Sequence, residues 1–307
     1  MTTFRCTIGV ALAAAATALA AESLPVATPK LASPAGHYTL RLSTVIAPDM
    51  RVMGLFLKAR IDGGPVLRML LDSGAQHIVL DKHAAARSGR TAGAALELVG
   101  VGASSKLCKR AAQGTVQIGD LVLDDCDMLV VDGQILEGVD GIVPMSLFAG
   151  FLVHLNVPNK VLELDAYPAD APVRDAGDLP VRADNRLLFL HAGLDESQPG
   201  YVLLDTGATY SAISPAAARA SRNYWSLGKA ILLQGSSGGI EGFELAPGVR
   251  FRCGARVLSA DPVVVVDLSD MARHHRFEVT GILGYPALRN SIVTINYRDA
   301  LVRIEGK

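Results

Sequence analysis

The sequence predicts a mainly-β protein made of two copies of one lobe, and three observations carry that reading. First, Leu70-Leu71-Asp72-Ser73-Gly74-Ala75 returns 133 residues later as Leu203-Leu204-Asp205-Thr206-Gly207-Ala208. Second, further blocks follow both hexapeptides in the same order. Leu98–Gly102 answers to Ile231–Gly235, Ile118–Asp132 to Cys253–Asp267, Gly141-Ile142-Val143 to Gly281-Ile282-Leu283, and Leu152–Asp165 to Ile292–Glu305. Third, the apolar residues of both copies come in short runs of Val, Ile and Leu bounded by Gly, Asp and Pro, which is the pattern of strands and tight turns. A lone Asp-[Ser/Thr]-Gly arises by chance in about one chain in seven of this length. The matched surroundings are what give the pair its meaning.

Composition narrows the field. The chain has 307 residues, a length that suits two domains or one large one. It is 50% hydrophobic but only 5% aromatic and 19% charged, so Ala, Val, Leu and Gly carry the apolar content and disorder is excluded as the dominant state. With 29 Lys+Arg against 30 Asp+Glu, nucleic acid or an anionic membrane surface is not the expected partner.

Taken from the N-terminus, Met1–Arg5 carries one positive charge, Ile8–Leu19 is an uncharged Ala/Leu-rich run, and Ala18-Leu19-Ala20 offers small residues for a signal peptidase. Residues 1–20 read as a cleaved signal peptide, which implies a secreted or periplasmic protein. Glu22 comes too soon for a span of roughly 20 apolar residues. No stable membrane insertion is therefore expected after cleavage. Residues 21–36, with Pro25, Pro29 and Pro34, read as a flexible tether.

The first lobe is expected over residues 37–167. Val52–Ile61, Val66–Leu71, Thr115–Ile118 and Leu121–Leu123 read as strands, with turns at Asp62-Gly63-Gly64 and Gly119-Asp120. A short helix is expected over Asp81–Arg87 and a single helical turn over Ser146–Ala149. A Pro- and Asp-rich linker, 168–180, precedes the second lobe at 181–307. There the matching helices are Pro215–Arg222, with Ser214 as N-cap, and Pro286–Arg289.

Asp72 and Asp205 each end an aliphatic strand, followed by a small hydroxyl residue and a Gly that lets another backbone come close. If the copies face each other about a pseudo-twofold axis, the two carboxylates meet there and share a proton. That supplies a general base and a general acid at one spot. Asp72-Ser73-Gly74-Ala75 and Asp205-Thr206-Gly207-Ala208, with Gly141-Ile142-Val143 and Gly281-Ile282-Leu283-Gly284 downstream, resemble the signatures of aspartic proteases. The Ala after each Gly looks like retropepsins, while two lobes in one chain is the pepsin arrangement.

The resemblance implies a bilobal pepsin/retropepsin-like fold, two pseudo-twofold-related β-barrel-like lobes with short helices. It makes Asp72 and Asp205 the catalytic dyad. Ser73 and Thr206 would hydrogen-bond across the axis, and Gly74 and Gly207 would donate backbone N–H groups to the carboxylates. Gly100, Gly102, Gly235 and Gly238 fall at the flap positions, and His77 and Tyr210 are candidate contacts to a peptide or protein substrate bound in extended form. The implied activity is endopeptidase hydrolysis by an activated water in a monomer, with neither metal nor other cofactor. An inactive peptide- or protein-binding module of the same fold is the alternative. A purely structural role, with both Asp residues capping turns, explains the matched contexts less well. The first copy departs from the pattern in having Pro144 where the second has Gly284, and neither flap segment carries a Tyr.

Other groups have plainer readings. Asp124, Asp125 and Asp127 lack Ca²⁺-loop spacing and read as a solvated strand end. His274-His275 reads as a solvated loop without zinc-site partners. Trp225 reads as packing under a loop. Three cysteines follow the leader, and a Cys108–Cys126 bridge stays open because a hairpin turning at Gly119-Asp120 would not set them opposite each other.

Overall fold

The computed structural model describes residues 10–12, 17–18, 28–34, 36–46, 52–99, 105–133, 135, 138–168, 174–194, 199–221, 230–235, 238–246, 248–261 and 263–306. It is mainly β with a few short helices.

In the first lobe Val52–Ile61 turns back onto Leu67–Asp72 as an antiparallel pair, Phe56 opposite Leu70. The turn holds Asp62 and Gly63 at φ 50° and 71°, the left-handed region that Asp and Gly tolerate best. Gly141–Pro144 lies parallel to the Asp72 strand and antiparallel to Ile78–Asp81, so the dyad loop emerges between two neighbours that clamp its base. The second lobe repeats the arrangement. Gly200–Leu204 pairs parallel with Val279–Leu283, which also pairs antiparallel with Ser211–Ile213.

The helices form where their caps are. Asp81 accepts the Ala84 N–H at 2.7 Å and starts Lys82–Arg87, and Ser214 accepts the Ala217 N–H at 3.1 Å and starts Pro215–Ala220. The single turns fall at Met145–Phe148 and Tyr285–Leu288. A long hairpin, Ser105–Ile118 with Leu121–Val131, turns at Gly119-Asp120, with Ile118 opposite Leu121.

A sheet shared by both lobes runs Leu179–Asp184, Leu301–Gly306, Ser291–Asn296, Phe151–Asn156, Val161–Ala166, Tyr38–Arg41. Its central contact, Val153 opposite Ile295, joins the lobes edge to edge. One aliphatic core passes from Leu57 and Leu71 through Val153 and Ile295 to Leu190 and Leu204. A smaller cluster in each lobe uses matching positions: Phe56, Leu70, Val79 and Ile142 in the first, Phe189, Leu203, Ala212 and Ile282 in the second.

Several local expectations are corrected. His275 is not in a solvated loop: it ends the helix Ser269–His275, is buried, and bonds Asp184 at 2.7 Å. Asp127 is buried against Arg110, 3.1 Å away, while Asp124 bonds Thr115 and Asp125 meets Lys30. Cys108 pairs with Val131 and Cys126 with Gly114 along the hairpin, and both thiols are free, as is Cys253. Burial pushes the Cys108 thiol up to about 11 and those of Cys126 and Cys253 up to about 12. They stay protonated and unreactive. Within residues 1–20, Val10–Leu12 lies parallel to Ala230–Gly235, and Thr17–Ala18 antiparallel to Ala92–Val99. Trp225 lies outside the described residues. No helix among the described residues is long and apolar enough to cross a membrane.

Candidate active site

Two strand ends bring the repeated motifs together at the lobe junction. Ser73 Oγ donates to the Leu204 carbonyl at 2.8 Å, and Thr206 Oγ1 donates to the Leu71 carbonyl at 2.9 Å. In return, the Ser73 N–H donates to Thr206 Oγ1 at 3.0 Å and the Thr206 N–H to Ser73 Oγ at 2.9 Å. Each hydroxyl accepts one bond and donates another, so the two loops are stitched by a reciprocal pair that only a short hydroxyl side chain can make.

This grip fixes the carboxylates. Asp72 accepts the Gly74 N–H at 2.7 Å, and Asp205 accepts those of Gly207 and Ala208 at 3.0 and 2.9 Å, all through Oδ1. The glycines serve the opposite lobe as well. A Cβ on Gly74 would meet Asp205 Cγ at 2.5 Å, and one on Gly207 would collide with Asp72. Each carboxylate therefore lies over the bare backbone of the other motif.

Residues 57–147 match the aspartyl protease family. The crystal structure of an aspartic proteinase from Irpex lacteus superposes with a TM-score of 0.56 over 88% of this chain and 97% of that one, at 13% identity. The chain thus has the pepsin-like aspartic proteinase fold, with the first lobe carrying Asp72 and the second carrying Asp205. No curated protein matches the sequence.

Both carboxyls of this aspartyl protease fold are buried, and burial pushes both pKa values up. Asp72 is raised to about 6, chiefly by desolvation, with the bond to Asp205 and the N–H groups of Gly74 and Gly207 pulling it back. Asp205 is also raised well above the usual carboxylate range, by desolvation and then by the Asp72 charge beside it. Its Oδ2 has no hydrogen-bond partner among the described residues. With both carboxyls raised and side by side, the pair holds one proton between them over part of the pH range, one member a base and the other an acid.

The remaining expected site residues separate. His77 is buried, its pKa pushed down to about 4 by desolvation, so it is neutral at physiological pH. Tyr210 occupies the matching place in the second lobe but is packed in that lobe's core with Phe189 and Leu203. Gly235 and Gly238 face each other at the tip of the hairpin Ala230–Gly235/Gly238–Ala246. In the first lobe, Ala92–Val99 pairs with Ser105–Ile118, and Gly100 and Gly102 lie outside the described residues between them. Among the described residues no group of three or more His, Cys, Asp or Glu side chains could hold a metal.

Two contributors carry no motif. Gly54, at φ 144°, lies beside the Leu70 side chain and the Thr206 carbonyl, and Thr209 Oγ1 donates to the Met53 carbonyl at 3.3 Å. The first lobe's leading strand thus braces the second lobe's dyad loop. Repeat analysis could have exposed this only by asking why a Gly interrupts an aliphatic strand.

Proposed function

We propose that the protein is an aspartic endopeptidase that acts outside the cytoplasm on peptides or proteins held in extended form. The observation that carries this reading is the buried carboxyl pair, supplied one from each lobe and gripped by reciprocal Ser73–Thr206 hydrogen bonds. Buried acids with pKa values pushed in this way usually mark chemistry.

In the state with one proton, Asp72 is the base and Asp205 the acid. Asp72 takes a proton from a water held between them while the water oxygen attacks the scissile carbonyl carbon, and Asp205 gives its proton to the carbonyl oxygen. A gem-diol results. Its collapse breaks the C–N bond as the proton held by Asp72 passes to the amine nitrogen, and a gem-diol hydroxyl proton returns to Asp205. No bond to the protein forms. In this reading the strand pairs Ala92–Val99/Ser105–Ile118 and Ala230–Gly235/Gly238–Ala246 close over the peptide and exclude bulk water. The export reading rests on the leader-like residues 1–20.

The test is incubation of the chain lacking residues 1–20 with a mixed peptide library between pH 3 and 8, analysed by product mass, beside Asp72→Asn and Asp205→Asn. Wild-type cleavage falling at least about a thousandfold in both variants is expected. Cleavage that persists in both variants would overturn the dyad, and a wild type inert at every pH would overturn the enzyme reading.

A further inference from the structure

The second lobe holds a polar pair that the first lobe does without. His275 Nδ1 lies 2.7 Å from Asp184 Oδ2, with the imidazole side chain 1% exposed and the carboxylate 32%. The ring packs edge-on against Phe189, centroids 4.8 Å apart, and tilted against Phe277. Its Nε2 is buried with no hydrogen-bond partner among the described residues. Counted back the same distance from the matched glycines Gly281 and Gly141, His275 answers to Ile135. Ile135 packs in the small apolar cluster with Phe56, the counterpart of Phe189. An aliphatic side chain therefore fills this place in the fold without any polar partner.

Stability does not account for the exchange. Taking an ionisable pair out of water costs desolvation that often exceeds its attraction, and the orphaned nitrogen adds to that cost. What the pair adds over Ile is direction. A hydrogen bond fixes where the helix end sits on the strand Leu179–Asp184, whereas apolar contact has no preferred angle. The second copy is longer here, 267–281 against 132–141, and the helix Ser269–His275 fills the extra length. That helix is the element the bond holds. Two routes lead from it to Asp205. Along the chain, Arg276 turns in the left-handed region at φ 58° and feeds Val279–Leu283, whose last carbonyl accepts the Asp205 N–H at 3.1 Å. Through the core, Phe189 lies opposite Leu203, on the strand that leads into Asp205, and shares its cluster with Ala208. The Ala208 N–H in turn donates to Asp205 Oδ1 at 2.9 Å.

We propose that Asp184 and His275 are positioning residues for the Asp205 half of the dyad: their bond acts as a latch that sets the helix Ser269–His275, and through it the Leu283 carbonyl and the Ala208 N–H that hold Asp205. The inference rests on the endopeptidase reading for the reaction it serves, while its structural part concerns the carboxyl pair alone. The Ala208 N–H pulls the Asp205 pKa down against burial. A loosened latch therefore strengthens the pair's hold on its last proton.

Three substitutions test the latch. His275→Ile copies the first lobe, Asp184→Ala removes the acceptor from the more exposed end, and His275→Asn keeps an N–H where Nδ1 stands. In His275→Ile, kcat for a peptide that the wild type cleaves should fall about tenfold with KM unchanged, the cost of a shift of a fraction of an ångström at reacting groups. NMR of aspartate labelled at the carboxyl carbon should show the pair's last proton bound about tenfold more tightly. Asp184→Ala should reproduce both changes, and His275→Asn should restore both. If kcat and the carboxyl titration stay put in whichever of His275→Ile and Asp184→Ala folds, even with a lowered Tm, the pair is a structural contact only and the latch is overturned. A titration that moves in a protein that cuts nothing would support the latch while rejecting the endopeptidase.

Discussion

A methyl group at Gly74 would sit 2.5 Å from Cγ of Asp205, a distance that real side chains do not tolerate. Gly74→Ala must therefore push the dyad apart, and a displacement of about 1 Å at reacting groups costs about a hundredfold. The expected result is a folded protein with kcat down by about that factor and a lowered Tm. An unchanged kcat would mean that the carboxyls are not held over each other's motif. The proton count makes a second prediction at this scale. Below about pH 3.8 both aspartates are protonated folded or unfolded. As pH rises, the unfolded chain releases these protons first, so stability falls through about pH 6, where Asp72 ionises, and on until Asp205 does. Thermal melts should show Asp205→Asn gaining on the wild type between pH 4 and 7. Activity should climb as the dyad loses its first proton near pH 6 and persist until it loses its second. A profile peaking near pH 3 would contradict the raised carboxyls.

Short elements in this chain depend on their caps, because helices of one or two turns have little else. Asp81→Ala removes the acceptor for the Ala84 N–H and should cost about 1 kcal/mol, seen as a shift in the urea midpoint with an unchanged slope. A null effect would show that packing of Ala84 and Ala85 alone sets that helix. Elements of this kind were legible in the sequence. Asp81, Ser214 and the Gly-containing turns act through their own backbone neighbours, so local residue type suffices. The dyad loops were legible because Asp-Ser/Thr-Gly is required twice by the same geometry. What stayed hidden depends on distant partners. His275 lies in a polar run, Arg273-His274-His275-Arg276, yet its ring packs on Phe189 and Phe277 and bonds Asp184. Asp127 is one of three acids in a row of polar residues until Arg110 covers it from across the hairpin. Tyr210 and His77 share a motif position, but only the second lobe has an aromatic cluster to absorb the ring. The strand Lys30–Leu31 pairs over too few residues to leave any period.

At the scale of the whole molecule, the shared sheet and the dyad grip make the lobes one cooperative body. Val153–Asn156 pairs with Ile292–Ile295 across the junction, and the same aliphatic core continues on both sides. The covalent linker contributes a looser set of bonds: Asp175 and Asp178 pair with Arg303, which belongs to that sheet. Burial of side chains such as Val153 and Ile295 is worth about 1.5–3 kcal/mol each, more than the Asp175–Arg303 pair, whose carboxylate is exposed. Cutting the chain within the Pro-rich linker should therefore leave two fragments that co-elute on size exclusion, unfold in a single calorimetric transition and, if the dyad is catalytic, retain most of kcat. Two separate transitions would mean that each lobe is stable alone. In that case the buried Ser73–Thr206 bonds, not the shared sheet, would have to hold the carboxyls in register.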